Sequence, residues 1–350
     1  MVRFIDMIRR DQGDHNDTPD KRYYAPVEEA PVQDKSGHHI SKERASVYHD
    51  LLMAARSLII KAHEKREINE EDVFPAVTAV VDIFIKDVYN DLLLLSYAYS
   101  KNDYLVAHIA NVLILAVGFG RSIGLGRDEL LKIGACALCH DLGMVEHSVL
   151  VNRKKDLSAA ERKKVQHHST RSADLAKAAV SEDLRTVIKE VHERENGRGA
   201  PEGLEKHEIT AWAKIIAICD VYEALTHPRV YRPFYNPHQA LRKIIDMKKD
   251  GLFDEICVKK FIEFLAVYPV GTLVRLNTGE TAMVIRANTE YVTKPVIKIL
   301  VNADGDVPDE QRIIDLAHNS LVHIECPLER GQEHEVVTVL EPRGEPAVVM

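Results

Sequence analysis

The chain lacks the features that mark exported and membrane-spanning proteins. Its 350 residues include five cysteines, one tryptophan and only 6% aromatic residues. It starts with MVRFIDMIRRDQGDHND, which has no apolar core of the kind that a signal peptide needs. We therefore expect a cytoplasmic protein whose cysteines are reduced thiols. No uninterrupted apolar run reaches the length that crosses a bilayer, which predicts that no segment spans a membrane.

Positive charge is also in short supply. The chain has 46 lysines and arginines against 54 aspartates and glutamates, for a formal net charge of −8. Proteins that bind nucleic acid polymers through the phosphate backbone need a basic surface, so we expect no nucleic acid polymer as a partner. A local basic pocket is compatible with this balance. The length allows two or three domains, at least one of which can bury a large core.

Hydrophobic periodicity predicts a mostly α protein in five parts. Residues 1–40 are polar and suggest a loose arm or the edge of an N-terminal module. Residues 41–98 carry apolar stripes at helical spacing, which indicates a helical extension that is structural or dimerising, with a ligand sensor as the alternative. Residues 99–268 predict a succession of helices. Residues 269–330 alternate as short strands do and predict a small β-module, followed by a loose tail over 331–350.

Histidines and aspartates recur on separate predicted helices of the central part, each among apolar residues. A lone histidine on an apolar helix is more often a satisfied core residue than a ligand. Several buried titratable groups together cost too much free energy unless metals or partners compensate them. Imidazole nitrogens, with a carboxylate able to bridge two cations, suit a binuclear metal site that activates water near neutral pH. The residues concerned are His108, His140, Asp141, His168, His192 and Asp220.

A second motif overlaps this set. The segment from Cys136 to His140 has the spacing of a c-type haem attachment signature. Haem attachment requires an exported chain and an exposed loop, whereas this segment is apolar and helical, so we expect ordinary buried cysteines. The other histidines have no assigned role and are expected on the surface, His167 because it lies about 100° from His168 on one predicted helix. Those considered were His147, His167, His207, His227 and His238.

Four segments between residues 103 and 233 resemble the HD-GYP family, the branch of HD phosphohydrolases that hydrolyses cyclic di-GMP. The start of the β-module, Tyr268-Pro269-Val270-Gly271, is similar to a module often found after this domain. The resemblance implies an HD-type helical bundle metal domain over residues 99–268, with a helical N-terminal extension and a small C-terminal β-module. The matching segments are His140 to Gly143, Leu157 to His168, His192 to Gly199 and Cys219 to Pro233.

The chain resembles a divergent member, because five positions depart from the family pattern. Gly199-Ala200-Pro201 stands in place of Gly-Tyr-Pro, and Met144 replaces the lysine that usually follows the glycine of the dyad. Tyr104 and Val191 replace a glutamate and a histidine, which points to two metals rather than three. Asn196 replaces the aspartate of the loop. The metals implied are iron or manganese, although mixed nitrogen and oxygen ligands would also tolerate zinc, cobalt or nickel.

The resemblance implies a metal-dependent phosphodiesterase that hydrolyses cyclic di-GMP to pGpG through hydroxide generated at a binuclear centre, with cleavage to GMP left open. His140 and Asp141 would be catalytic, with Asp141 bridging two metals, and all six residues named above would be ligands. Arg229 and Arg232 occupy positions that grip substrate phosphates in the family, a role that suits the planar guanidinium. Pairing of either arginine with surface acids is the alternative.

Two other functions stay open. A degenerate, non-catalytic member would bind cyclic di-GMP or a signalling partner without turnover, and Met144 and Ala200 favour this reading. A third candidate is an HD-type hydrolase of a different nucleotide or cyclic dinucleotide. The partners considered are cyclic di-GMP, a protein partner in cyclic di-GMP signalling and a second copy of the chain in a homodimer.

Overall fold

A computed structural model describes residues 42–86, 90–97, 104–147, 158–227, 235–288, 290–308, 310 and 312–328. The fold is mostly helical with a small C-terminal sheet, as predicted. The predicted arm and tail, and both Arg229 and Arg232, lie outside the described residues. The helices are α1 (Lys42–His63), α2 (Glu70–Ile85), α3 (Asn90–Ser96), α4 (Tyr104–Ser122), α5 (Arg127–Cys139), α6 (Ala159–Gln166), α7 (His168–Leu175), α8 (Glu182–Glu190), α9 (Ala211–Thr226), α10 (Pro237–Lys249) and α11 (Glu255–Leu265), with 3₁₀ turns at Leu142–His147 and Lys206–Glu208.

Helix α4 lies at the centre of the bundle. It packs against α5 and α9 on the metal-domain side and against α1 and α2 of the N-terminal region. Its length and composition would allow it to cross a membrane, but 83% of its most apolar window is buried inside the protein. A helix that is apolar on all sides is expected in the core of a large bundle. We therefore assign α4 as a core helix and not a membrane span.

Helix boundaries near the predicted ligands differ from the sequence-based prediction. Ser158 caps α6 as expected, since its hydroxyl accepts from the N–H of Glu161 at 3.3 Å while the Glu161 carboxylate accepts from the N–H of Ser158 at 2.8 Å. The prediction of one continuous helix through His167 and His168 was wrong. The backbone leaves helical geometry at His167 (φ −89°, ψ 2°), and α7 begins at His168. The break leaves His167 exposed and His168 buried.

Two further helical segments have different bounds from those that the sequence suggests. The sequence predicts a helix from Leu184 to Glu193, but α8 ends at Glu190, so His192 lies on the turn that follows it. The sequence also predicts further helix over residues 238–266, which the structure forms as two helices, because Gly251, with φ +75°, ends α10 in a left-handed conformation that glycine adopts readily. Asp254 then starts α11 by accepting from the N–H of Cys257 at 2.8 Å.

The C-terminal module is one antiparallel sheet of strands β1 (Leu273–Leu276), β2 (Thr281–Arg286), β3 (Val296–Val301), β4 (Ile313–Asp315) and β5 (Ile324–Pro327). The strand order is β4-β3-β2-β1-β5. The alternating pattern predicts strands over residues 272–276, 281–286 and 295–301, and β1, β2 and β3 match them. The sequence did not reveal β4 and β5, because these edge strands are mostly exposed or half-buried and have no buried face to mark an alternation. Leu94 of α3 packs into the apolar cluster of the sheet, which places the module against the N-terminal region.

Candidate functional site

The structure brings all six predicted metal ligands into one buried cluster. His108 lies on α4, His140 and Asp141 follow the end of α5, and His168 begins α7. His192 lies on the turn after α8, and Asp220 lies on α9. Each residue is 2% exposed or less, so bulk water has little access to the cluster. The residues are His108, His140, Asp141, His168, His192 and Asp220.

The carboxylate of Asp141 lies between two groups of imidazoles. Its Oδ1 atom is 3.0 Å from Nε2 of His168 and 3.0 Å from Nε2 of His192. The same oxygen is 3.6 Å from Nε2 of His140, and Oδ2 is 3.5 Å from Nε2 of His108. The described residues therefore contain two three-residue clusters able to hold a metal ion, and Asp141 belongs to both.

Asp220 contacts some of the same imidazoles. Its Oδ1 atom is 3.3 Å from Nε2 of His108, and Oδ2 is 3.5 Å from Nδ1 of His192. Both aspartates thus approach Nε2 of His108, while His192 meets Asp141 through Nε2 and Asp220 through Nδ1. This arrangement offers both nitrogen and carboxylate oxygen to a cation, the mixed set that several divalent transition metals accept.

Both carboxylates are ionised in this environment. Burial raises the pKa of the Asp141 carboxyl, but the four surrounding imidazoles, with His140 first among them, hold it well below its usual range. Burial also raises the pKa of Asp220, and His108 and His192 more than offset it, again to well below the usual range. Two negative charges are therefore concentrated in a poorly solvated cluster, where divalent cations would be strongly attracted.

Orphaned polar atoms in the cluster show that its residues fit metal ions. Nε2 of His108, Nε2 of His140, Nδ1 of His192 and Oδ1 of Asp220 are buried and have no hydrogen-bond partner. Each such group costs about 1–3 kcal/mol if it stays unsatisfied. Nδ1 of His140 donates to the carbonyl of Ala137 at 2.8 Å, so its Nε2 keeps a lone pair that faces the cluster. A divalent cation bound between His108, His140 and Asp141, one of the two groups able to hold a metal ion, would satisfy the first two of these atoms.

Two glycines of the family pattern, Gly143 after the dyad and Gly199 in the loop after His192, lie very close to the backbone of neighbouring segments. A Cβ at Gly143 would lie 2.2 Å from the carbonyl oxygen of His168, and one at Gly199 would lie 2.3 Å from Cα of Glu193. Both glycines therefore hold ligand-bearing segments at distances that no other residue permits. The Glu193 carboxylate accepts from the N–H groups of Glu202 at 2.7 Å and Leu204 at 3.0 Å, which folds the loop onto the segment of His192.

Three departures from the family pattern are also visible in the described residues. The ring of Tyr104 stacks on His108, with centroids 5.3 Å apart and an interplanar angle of 19°. Its hydroxyl lies 3.2 Å from Nδ1 of His108. Val191, which precedes His192, and Met144, three residues after Asp141, are both buried. Tyr104 and Val191 thus stand where the resemblance implies a glutamate ligand and a histidine ligand, and Met144 stands where it implies a lysine.

The sequence-based reasoning missed a second layer of residues behind His108. Glu223 accepts a hydrogen bond from Nδ1 of His108. Asn111 donates to the other oxygen of Glu223 at 3.2 Å. The prediction that His227 is a surface residue was wrong, since it is 4% exposed and its Nε2 donates to the carbonyl of Ser96 at 2.6 Å. A usable signal existed: Glu223 follows Asp220 by three residues and so lies on the same side of an apolar helix.

The other predictions on individual residues have mixed outcomes. His167 and His207 are exposed as expected, while His238 is half-buried and its Nδ1 donates to the carbonyl of Val267 at 2.8 Å. Cys136 and Cys139 are free thiols fully buried in α5, as predicted for a helix that attaches no haem.

Comparison with known proteins identifies two domains. Residues 94–256 match the HD domain, and residues 273–333 match the KOW domain associated with HD domain. The cyclic di-GMP phosphodiesterase PA4108 of Pseudomonas aeruginosa is 30% identical over 230 residues, which cover 65% of this chain and 55% of that protein. The 3'3'-cGAMP-specific phosphodiesterase 3 of Vibrio cholerae is 27% identical over 135 residues, which cover 38% of this chain and 29% of that protein. The chain thus matches about half, or less, of the length of these relatives.

Among solved structures, the fold is similar to Bd1817, described as an HDG"Y"P protein from Bdellovibrio bacteriovorus. The TM-score is 0.52 at 15% sequence identity, with 68% of this chain and 74% of that chain covered. The likeness to this structure shows the fold. The chain therefore contains an HD domain and is similar to the HD-GYP family of HD-domain proteins, with Gly-Ala-Pro in place of Gly-Tyr-Pro.

Proposed function

We propose that this chain is a metal-dependent phosphodiesterase that hydrolyses cyclic di-GMP to linear pGpG, with GMP as the product of a second cleavage. The observation that carries the proposal is the convergence of six buried histidines and aspartates, four of which keep an unpartnered atom in the cluster. The name of the relative from Pseudomonas aeruginosa supports cyclic di-GMP as the substrate.

The proposed centre holds two divalent transition metals, iron or manganese. His108 and His140 would hold one of them and His168 and His192 the other, with Asp141 shared between the two groups. Asp220, which lies near His108 and His192, would complete the set. Divalent ions bound there would activate water near neutral pH and offset negative charge on a phosphate.

The chain itself contributes charge, tautomer control and substrate binding. Asp141 and Asp220 supply two negative charges that reduce the mutual repulsion of neighbouring cations. The hydrogen bond from Nδ1 of His140 to a backbone carbonyl fixes that ring with Nε2 toward the cluster. Arg229 and Arg232 remain the predicted phosphate contacts, since a guanidinium can pair with two phosphate oxygens at once. Location in the cytoplasm, a homodimer and a signalling partner also remain predictions.

The second candidate is a receptor that binds cyclic di-GMP without hydrolysing it. It is favoured by the buried Met144, where a lysine is expected, and by the ring of Tyr104 against His108. A third candidate, hydrolysis of another cyclic dinucleotide, is favoured by the name of the relative from Vibrio cholerae, a 3'3'-cGAMP-specific phosphodiesterase.

The test compares wild type, Met144→Lys and His140→Ala, each purified without oxygen and loaded with Fe²⁺ or Mn²⁺. Each protein is incubated with cyclic di-GMP or 3'3'-cGAMP, and the products are separated by chromatography. We expect slow formation of pGpG by wild type, none by His140→Ala, and a rate up to about a hundredfold higher with the added cation of Met144→Lys.

The outcomes separate the three candidates. If metal-loaded wild type binds cyclic di-GMP intact and forms neither pGpG nor GMP, the receptor function replaces the proposed one. Cleavage of 3'3'-cGAMP alone would assign the third function. Turnover that persists in His140→Ala would contradict the role of the cluster itself.

A further inference from the structure

The ring of His108 has two faces with different partners. Its Nε2 atom faces the cluster, 3.5 Å from Asp141 and 3.3 Å from Asp220. Its Nδ1 atom faces away from the cluster, toward the carboxylate of Glu223. Glu223 is 1% exposed and therefore has to be fully paired to be tolerated in this position.

Both oxygens of Glu223 have partners inside the protein. Oε2 accepts from Nδ1 of His108, and Oε1 accepts from Nδ2 of Asn111 at 3.2 Å and lies 3.2 Å from Nδ1 of His227. Because both oxygens of Glu223 act as acceptors, the His108 ring presents an N–H at Nδ1 to Glu223, which leaves Nε2 as the nitrogen available to a metal.

The N-terminal helices hold the partners of Glu223. The hydroxyl of Tyr48, on α1, donates to Oδ1 of Asn111 at 3.1 Å. At the end of α3, the carbonyl of Ser96 accepts from Nε2 of His227 at 2.6 Å. The ring of Tyr97 stacks on His227 with centroids 6.0 Å apart and an interplanar angle of 5°. A continuous series of hydrogen bonds therefore runs from Tyr48 of α1 through Asn111 and Glu223 to the back of His108, and the end of α3 contacts His227 beside the same carboxylate.

We propose that Glu223 is a positioning residue that holds His108 in the orientation and tautomer required for metal binding, and that Tyr48 supports it through Asn111. The N-terminal helical region would then contribute directly to metal affinity, beyond extending the bundle. This inference rests on the proposed metal centre. Carboxylates and carbonyls that orient a metal-binding histidine are typically worth about 10- to 100-fold in metal affinity.

Glu223→Gln is a sharp perturbation because it keeps the shape of the side chain. Glu223 accepts on both oxygens, whereas an amide accepts on one side and donates on the other. In the variant, either His108 or Asn111 must face an N–H group instead of an oxygen. Glu190→Gln is the matched control, because Glu190 is also buried, and its single described bond, from the N–H of Thr210 at 2.8 Å, can be kept by an amide carbonyl.

The experiment titrates the full chain, freed of metal by chelation, with Mn²⁺ and follows free Mn²⁺ by its EPR signal. Thermal unfolding of the metal-free proteins is measured in parallel. We expect Mn²⁺ binding about 10- to 100-fold weaker for Glu223→Gln, a smaller loss for Tyr48→Phe, and wild-type affinity for Glu190→Gln. If Glu223→Gln fails to fold, Tyr48→Phe, which removes one hydroxyl only, carries the test.

Each result decides between the two proposals. Wild type that binds no Mn²⁺, Fe²⁺ or Zn²⁺ would defeat the proposed function. Wild type that binds Mn²⁺ no better than a folded Glu223→Gln variant would overturn the positioning role and leave the metal centre intact. An equal loss in Glu190→Gln would show a general effect of buried charge and would also overturn it. Tyr48→Phe with wild-type affinity would remove the N-terminal helices from the inference.

Discussion

A single methyl group at position 143 should disturb the candidate metal centre more than the rest of the fold. Gly143 follows the His-Asp dyad and packs against the start of α7. A Cβ there would lie 2.2 Å from the carbonyl oxygen of His168, 2.9 Å from Cβ of Arg171 and 3.0 Å from the backbone nitrogen of Ser172. Two of these atoms belong to the backbone of α7, so no side-chain rotation can relieve the contact.

The size of the disturbance follows from these distances. Moving the contact from 2.2 Å to 3.0 Å, the shortest distance that real Cβ atoms show, requires a displacement of 0.8 Å. The displaced residue is His168 itself, whose Nε2 lies 3.0 Å from Oδ1 of Asp141. Metal–ligand distances tolerate only about 0.2 Å. Overpacking of this kind costs about 1–3 kcal/mol of unfolding free energy.

The assay measures metal content by elemental analysis and the urea midpoint of the metal-free proteins. We expect Gly143→Ala to lose about 1–3 kcal/mol of stability and the metal next to His168, and we expect wild type to bind two metals per chain. Gly126→Ala is the matched control, because its Cβ would meet nothing closer than 3.7 Å from Glu129. As an N-cap substitution it should cost no more than about 1 kcal/mol and no metal. Wild-type stability and metal content in Gly143→Ala would refute the reasoning.

Three more substitutions have expected outcomes. Asp141→Ala should empty the centre and abolish the rise in melting temperature that added Mn²⁺ gives wild type, and retained metal would make the dyad structural. Gly199→Ala should lower the unfolding free energy by about 1–3 kcal/mol and with it the urea midpoint, because its Cβ would lie 2.3 Å from Cα of Glu193, and an unchanged midpoint would contradict this contact. Asp72→Asn should cost stability at neutral pH: burial raises the Asp72 pKa, but the N–H of Asn69 and the Lys61 ammonium lower it overall. A carboxyl whose pKa is lower in the folded state stabilises the fold at pH values above its unfolded-state pKa, and this stabilisation is lost as the pH falls through its folded-state pKa. The difference in stability between Asp72→Asn and wild type should therefore disappear at low pH.

His108, the dyad His140-Asp141 and Asp220 could be predicted because each combines a titratable side chain with an apolar helical context. His168 and His192 lie in more polar segments, where the resemblance to the family added the stronger signal. Burial of such a group is costly wherever it occurs, so the composition of each helix reports it before any contact is known. The position of His168 within its helix could not be predicted in this way. No glycine or proline near His167 marks the break, and the start of α7 packs against Gly143, which precedes His168 by 25 residues. Strands β4 and β5 were missed because they are edge strands whose residues are mostly exposed or half-buried, so that no buried face marks an alternation.

Glu223 shows where the same reasoning could have been carried further. It lies in α9 among Val221, Tyr222, Ala224 and Leu225, a context as apolar as that of Asp220. The cost of burying a carboxylate there requires partners, which is the argument that singled out the aspartates. What the sequence does not contain is the identity of those partners, since His108 and Asn111 precede Glu223 by 115 and 112 residues. A buried acid one helical turn from a predicted metal ligand is therefore a candidate for a residue that orients the metal-binding side chains. The His-Asp motif alone does not define the metal centre.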